Sequence, residues 1–145
     1  MNSTDDTNRD EGQGTGMPSS IVLAKAVAAG ERRLHTWTID GTLVNEEQFT
    51  ILRAIGKETL IEAGMRGDLI FFWIDQQRWY PAVLLEVGLA EIARICSSLG
   101  EISPVSKMFF FMHAHGGLNG QTVQSALPVV GIDRVLQLAE AWRQS

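Results

Sequence analysis

The stretch Asn45-Glu-Glu-Gln-Phe-Thr-Ile-Leu-Arg-Ala-Ile55, followed by Gly56 and by Lys57-Glu-Thr-Leu-Ile-Glu-Ala-Gly-Met65, decides the fold. Asn45 with Gln48 three positions later is a capping-box pattern, so a helix opens there. Phe49, Leu52 and Ile55 supply its buried stripe, and Gly56 breaks it. Lys57 to Met65 gives a second short helix that ends before Arg66-Gly67. Two β-rich runs follow, Leu69 to Asp75 and Arg78 to Leu85, hinged at Asp75-Gln76-Gln77 with the spacing of a hairpin. Pro81 lacks an N–H and so marks an edge or the end of pairing. The order predicted for the centre of the chain is helix, tight turn, helix and two-stranded hairpin.

Working outward toward the N-terminus, Ile21-Val-Leu-Ala-Lys-Ala-Val-Ala-Ala29 is rich in helix formers. It predicts a short helix, with Ser19 or Ser20 as N-cap and Gly30 as stop. Arg33 to Asp40 alternates apolar and polar residues and predicts a lone strand or an extended arm, closed by the turn signal Asp40-Gly41. Met1 to Ser20 contains too little apolar surface to offset the entropy of ordering, so a disordered acidic tail is expected.

Toward the C-terminus, Leu89, Ile92, Ala93, Cys96 and Leu99 form a helical stripe closed by Gly100. Ser103-Pro104 opens another helix to Met112, with Phe109, Phe110 and Phe111 expected in the core. A glycine-rich loop spans His113 to Gly120. Thr122 caps a short helix over Val123 to Leu127. Gly131 to Trp142 repeats Ile132, Val135, Leu136, Ala139 and Trp142 at helical spacing, with Asp133 in the favourable first turn. The expected fold is α+β, mainly α, in three parts: a tail over 1–20, a helix-turn-helix part over 21–87, and a helical domain over 88–145.

Composition narrows the function classes. A chain of 145 residues with 45% hydrophobic and 20% charged residues has the makeup of one ordinary domain or two very small ones. No apolar run is long enough to span a membrane and the N-terminus does not read as a signal peptide, so the expected compartment is the cytoplasm. The single cysteine, Cys96, forms no internal disulfide and reads as a small core residue. The net charge of −5 argues against sequence-independent binding to phosphate backbones as the main task. Four carboxylates of residues 1–20 (Asp5, Asp6, Asp10 and Glu11) oppose only Arg9, which leaves the remainder of the chain nearly neutral.

Residues 43–83 resemble the winged helix-turn-helix of the excisionase and MerR-like families. The resemblance rests on Arg66-Gly67-Asp68-Leu69 after the second helix and on Arg78-Trp79-Tyr80-Pro81 in the hairpin. It implies DNA contact, for which Lys57, Thr59, Arg66 and Arg78 are the candidates. The segment departs from the family's chemistry in Glu58 and Glu62 on the would-be recognition helix, where carboxylates facing phosphates cost affinity. A degenerate helix-turn-helix kept as a scaffold or dimerisation unit is the competing expectation.

A second resemblance covers about residues 89–145. Leu118-Asn-Gly-Gln-Thr122, then Leu127, then Gly131-Ile-Asp-Arg-Val-Leu-Gln-Leu-Ala139 look like the C-terminal toxin-binding domain of the Xre/MbcA/ParS antitoxins. Val123 stands where that pattern has a helix-opening proline. The resemblance implies a non-catalytic protein whose partner is a toxin, often of the ADP-ribosylating type, occluded by the antitoxin; DNA-binding autoregulation through the N-terminal half fits the same picture. By position it assigns partner contacts to Asn119, Gln121, Arg134, Trp142 and Arg143. For Trp142 a core anchor is the alternative.

The remaining signals for chemistry are thin. His113-Ala-His115 places two imidazoles together, but the sequence supplies no third and fourth ligand with metal-site spacing, so no metal is expected. Gly116-Gly-Leu-Asn-Gly120 has neither the spacing of a dinucleotide fingerprint nor a P-loop lysine, so no cofactor is expected. There is no nucleophile motif with a matched base. The expectation is a binding protein, with a possible homodimer through the aromatic-rich hairpin, a DNA-binding regulator as the alternative class, and a small ligand-binding protein or enzyme using the loop as the third.

Overall fold

A computed structural model describes residues 19–145. The fold is mainly helical with one small antiparallel sheet, in the α+β class expected. The elements are α1 (Ser19–Asp40), β1 (Leu43–Asn45), α2 (Glu46–Arg53), α3 (Lys57–Arg66), β2 (Phe72–Ile74) and β3 (Gln77–Pro81). A 3-10 segment (Ala82–Glu86), α4 (Leu89–Leu99) and α5 (Pro104–Met112) follow, then a second 3-10 turn (Gly116–Leu118), α6 (Val123–Val130) and α7 (Ile132–Arg143). The acidic tail expected over 1–20 lies outside the described residues up to position 18. Ser19 and Ser20 already belong to α1, so neither is its N-cap.

The expected short helix, stop and strand are one helix of 22 residues. Gly30 does not take a left-handed φ, and glycine inside a helix costs only about 1 kcal/mol, which the flanking helix formers outweigh. The alternation over Arg33–Asp40 carries no strand information because none of these side chains is buried. A β pattern fixes a strand only when one face has a core to meet. Thr36 bonds back within the helix, its Oγ1 donating to the Arg32 carbonyl at 3.0 Å. The stop moves to Gly41, at φ +89°. Beyond it, hydrogen bonds from the Thr42 hydroxyl and amide hold the Asp40 carboxyl below its usual range.

The cap of α2 is the one the sequence predicts: Asn45 Oδ1 accepts from the Gln48 amide at 2.8 Å. Replacing Asn45 by alanine is expected to cost about 1 kcal/mol in urea unfolding, and Asn45→Asp to retain most of that stability. The predicted stripe is correct for Phe49, which is fully buried and stacked on Tyr80, and for half-buried Ile55. It is wrong for Leu52, which stands 63% exposed beside equally exposed Ile51. A two-turn helix has room for one deep anchor, and the rest of its apolar surface stays outside. The break also comes earlier than Gly56, because Ala54 takes the left-handed conformation at φ +58° and Gly56 is the extended residue that precedes α3.

The hairpin is part of a three-stranded sheet in the order β1-β3-β2, both pairs antiparallel. Leu43 pairs with Pro81 and Asn45 with Trp79, while on the other side Phe72 also pairs with Trp79. β3 is therefore the central strand, not one of an isolated pair. Asp75 and Gln76 both have positive φ, the signature of a two-residue I′ turn that matches strand twist. Pro81 ends β3, and the expected continuation to Leu85 turns instead into the 3-10 segment. Arg53 closes this corner: its Nη1 donates to the carbonyls of Leu84, Leu85 and Val87 at 3.1, 3.2 and 2.7 Å.

The C-terminal helices follow the predicted stripes in part: Leu89, Ala93, Ile132, Leu136 and Trp142 are only half-buried, and Ile95, outside the predicted stripe, is fully buried. α4 buries Ile92, Ile95, Cys96 and Leu99, and α7, which packs along it, buries Val135 and Ala139. Ser103 Oγ caps α5 by accepting from the Ser106 amide, and Met108, Phe110 and Phe111 are fully buried, with Phe109 half-buried. α6 extends three residues past Leu127, through Pro128. The contacts divide the chain into one unit ending at Thr36 and another over Trp37–Ser145, so the segments on either side of residue 87 lie in the same unit. Within that unit Trp37 meets Phe72 and Phe109 edge-on. Among the described residues no helix is long and apolar enough to cross a membrane.

Candidate functional site

The residues predicted to touch DNA fall into two places. Lys57, at the start of α3, and Arg78, on β3, line a cleft of about 500 Å³ with Glu46, Trp73 and Gln77. Thr59 and Arg66 line a different groove of about 250 Å³, with Ile55, Ala63, Leu89 and Ala93. In the cleft both cations face one carboxylate. Lys57 Nζ lies 3.9 Å from Glu46 Oε1, and Arg78 Nη1 lies 3.9 Å from Glu46 Oε2. The Tyr80 hydroxyl donates to the same Oε2 at 3.0 Å. Burial, this hydrogen bond and the charge of Glu46 together push the Tyr80 phenol far above its ordinary value, so it stays a donor.

Arg78 is half-buried, its guanidinium 4.5 Å from the Trp73 ring centre and 5.7 Å from that of Phe71. Cation–π contact and the carboxylate 3.9 Å away offset part of its charge within the fold, while its buried Nε has no hydrogen-bond partner among the described residues. Arg66 donates from Nε to Asp68 Oδ2 at 3.0 Å. Three predicted cations thus have acidic neighbours, and the site contains Glu46 as a charge that the sequence pattern did not single out. Its signal was present in the sequence: a Glu in the first turn of a capped helix sits beside the helix N-terminus.

The residues predicted to contact a protein partner gather more closely. The loop between α5 and α6 closes on His115. The His115 amide donates to the Gln121 carbonyl at 3.0 Å, and its own carbonyl accepts from Leu118 and Gly120. Its imidazole Nε2–H donates to the Phe110 carbonyl at 2.7 Å, with the ring against Phe110 and Trp142. Trp142 in turn donates from Nε1 to the carbonyl and hydroxyl of Ser106. Arg134 Nη2 donates to the Gly117 carbonyl at 3.2 Å from α7. A Cβ on Gly117 would lie 2.8 Å from a Leu138 methyl, so glycine is what lets loop and helix meet.

These contacts leave the side chains of Asn119 and Gln121 exposed on a loop fixed at several points. Asn119 takes the left-handed conformation, where asparagine is tolerated. Arg143 is exposed one residue beyond Trp142, with its stem over Gly100. Trp142 itself is half-buried and spent on internal contacts, in line with the core-anchor alternative. His115, the hub of the loop, was missed as a positioning residue because nothing local in His113-Ala-His115 distinguishes a packed imidazole from a free one.

His113 stacks on Phe109, and among the described residues no group of three or more His, Cys, Asp or Glu side chains is arranged to hold a metal. Burial pushes the Cys96 thiol up to about 11, which leaves it protonated and unreactive at neutral pH. Comparison of the chain with protein-family models, with curated proteins and with solved structures gives no match.

Proposed function

We propose that the protein is a non-catalytic, antitoxin-like binding protein that engages a protein partner through the loop Gly116–Gln121 and the adjoining face of α7. The observation that supports this most is the fixing of the loop: His115, Arg134 and Gly117 tie it to α5 and α7 while Asn119 and Gln121 point into solvent. A surface held rigid before binding loses little conformational entropy on association. The likeness of Leu118-Asn-Gly-Gln-Thr122 and its following helices to the antitoxin domain gives the class of partner, a toxin.

The test is capture of partners by the tagged full-length protein from its native lysate, with and without nuclease. A stoichiometric protein that survives nuclease is expected, together with at least about tenfold loss of it in the double variant Asn119→Gly, Gln121→Ala. Glycine keeps the left-handed backbone at 119, so the fold is retained and an unchanged melting curve verifies it. Full retention of the partner by the double variant would sink the proposed surface.

A second reading, regulation by DNA binding, is favoured by the order β1-α2-α3-β2-β3, which suits a winged helix-turn-helix. Bound nucleic acid with no protein partner, lost on nuclease treatment and on Lys57→Glu, is the outcome that would put it first. The carboxylates paired with Lys57, Arg66 and Arg78 weigh against it.

A further inference from the structure

The cleft beside β3 holds chemistry that the partner loop does not use. Arg78 lines it with only 20% of its side chain exposed, yet its guanidinium donates no hydrogen bond to any described residue. A guanidinium carries five N–H donors, and buried donors in folded proteins are almost always paired. The carboxylate of Glu46 is 3.9 Å away, beyond hydrogen-bond reach, and already accepts from the Tyr80 hydroxyl. Nε of Arg78 is enclosed, which leaves the two terminal nitrogens to meet an incoming group. Side by side, they match the two oxygens of a carboxylate. Lys57, with its side chain 71% exposed, offers a second cation at the same cleft.

Charge narrows the class of ligand. Glu46 and Glu47 line the cleft too, so two carboxylates balance the two cations. Glu47 is exposed and has no ion-pair partner among the described residues. A phosphate dianion or a DNA backbone would gain from Arg78 and Lys57 but be repelled by both carboxylates. A zwitterion has a group for each sign. Trp73, 58% exposed, and half-buried Ile61 add apolar surface to the wall, and a volume of about 500 Å³ lies in the range of small-ligand sites. We infer that this cleft binds a free α-amino acid with a large apolar side chain. Its carboxylate meets the terminal nitrogens of Arg78 and Lys57, its ammonium meets Glu47, and its side chain lies against Trp73 and Ile61. Glu46, held by Tyr80, stands near both cations and positions them. None of these residues belongs to the partner loop, so the two sites stand or fall separately.

Heteronuclear NMR titration of the full chain with L-phenylalanine tests this. Saturable shifts of the Trp73 indole and Arg78 signals are expected, with a Kd of about 1 mM or tighter. Phenethylamine, which lacks the carboxylate, and hydrocinnamate, which lacks the ammonium, should each bind at least about threefold more weakly. Glu47→Gln changes an exposed side chain and leaves the melting curve unchanged. It is expected to weaken L-phenylalanine by about threefold or more but hydrocinnamate not at all, because that ligand brings no ammonium. Arg78→Lys keeps the charge without the fork and weakens both. No saturable shift with L-phenylalanine, L-leucine or L-tryptophan overturns the site. Inorganic phosphate binding more tightly than the amino acid overturns the zwitterion assignment, as does equal binding of L-phenylalanine by wild type and Glu47→Gln.

Discussion

Phe110→Ala is expected to lower the free energy of unfolding by about 3–5 kcal/mol, the range for removing a buried phenyl ring without collapse of the space it leaves. Phe110 is fully buried and touches Phe111, His115 and Trp142 edge-on or tilted. Those neighbours are held by bonds that the substitution leaves in place: Trp142 by Ser106, and His115 by the backbone carbonyl of residue 110. They cannot move inward to fill the cavity without breaking these bonds. Urea unfolding followed by tryptophan fluorescence measures the change, and Phe110→Leu should recover about half of it. A cost under about 1 kcal/mol would mean that the α5 core closes over the gap, contrary to the close packing on which the estimate rests.

Arg53→Ala is the second large effect, at about 2–4 kcal/mol. One guanidinium nitrogen serves three carbonyls, those of Leu84, Leu85 and Val87, at the point where β3 gives way to the 3-10 segment. Hydrogen bonds to a charged group contribute about 1.5–3 kcal/mol each in isolation, and three acceptors sharing one donor group contribute less than their sum. Without Arg53 the carbonyls lose a partner that water must replace in a partly buried corner. Arg53→Lys keeps the charge but not the planar fork, and should recover only part of the loss. Equal stability of wild type and Arg53→Met, measured by thermal unfolding, would show that water satisfies this corner unaided.

Much of the local structure was legible because short-range chemistry determined it. Asn45 and Ser103 act where a polar side chain can reach an amide three residues on, and Asp75-Gln76 occupies a turn whose length the flanking runs dictated. What the sequence misread depended on distant residues. β1 is three residues long and exists only because β3 comes back to pair with it, and nothing near Leu43 announces that partner. The Arg33–Asp40 alternation had no core to give it meaning, and Leu52 lay on a stripe that the small helix α2 could not wholly bury. Asn119, Gln121 and Arg134, the residues expected to meet a partner, lie around one loop. The role of His115 and the sharing of Glu46 by Lys57 and Arg78 are pairings across elements, invisible to spacing.

The pairing of β1 with β3 also orders events in time. Leu43 and Pro81 are neighbours in the sheet but are separated along the chain by two helices and the β2 strand. The β2–β3 hairpin closes a loop of two residues and forms within microseconds, whereas docking β1 must wait until the intervening chain has contracted. Loop closure of that size costs entropy before any hydrogen bond repays it. Loop closure therefore favours the β2–β3 hairpin forming before β1 docks, which leaves β1 the last strand to join the sheet.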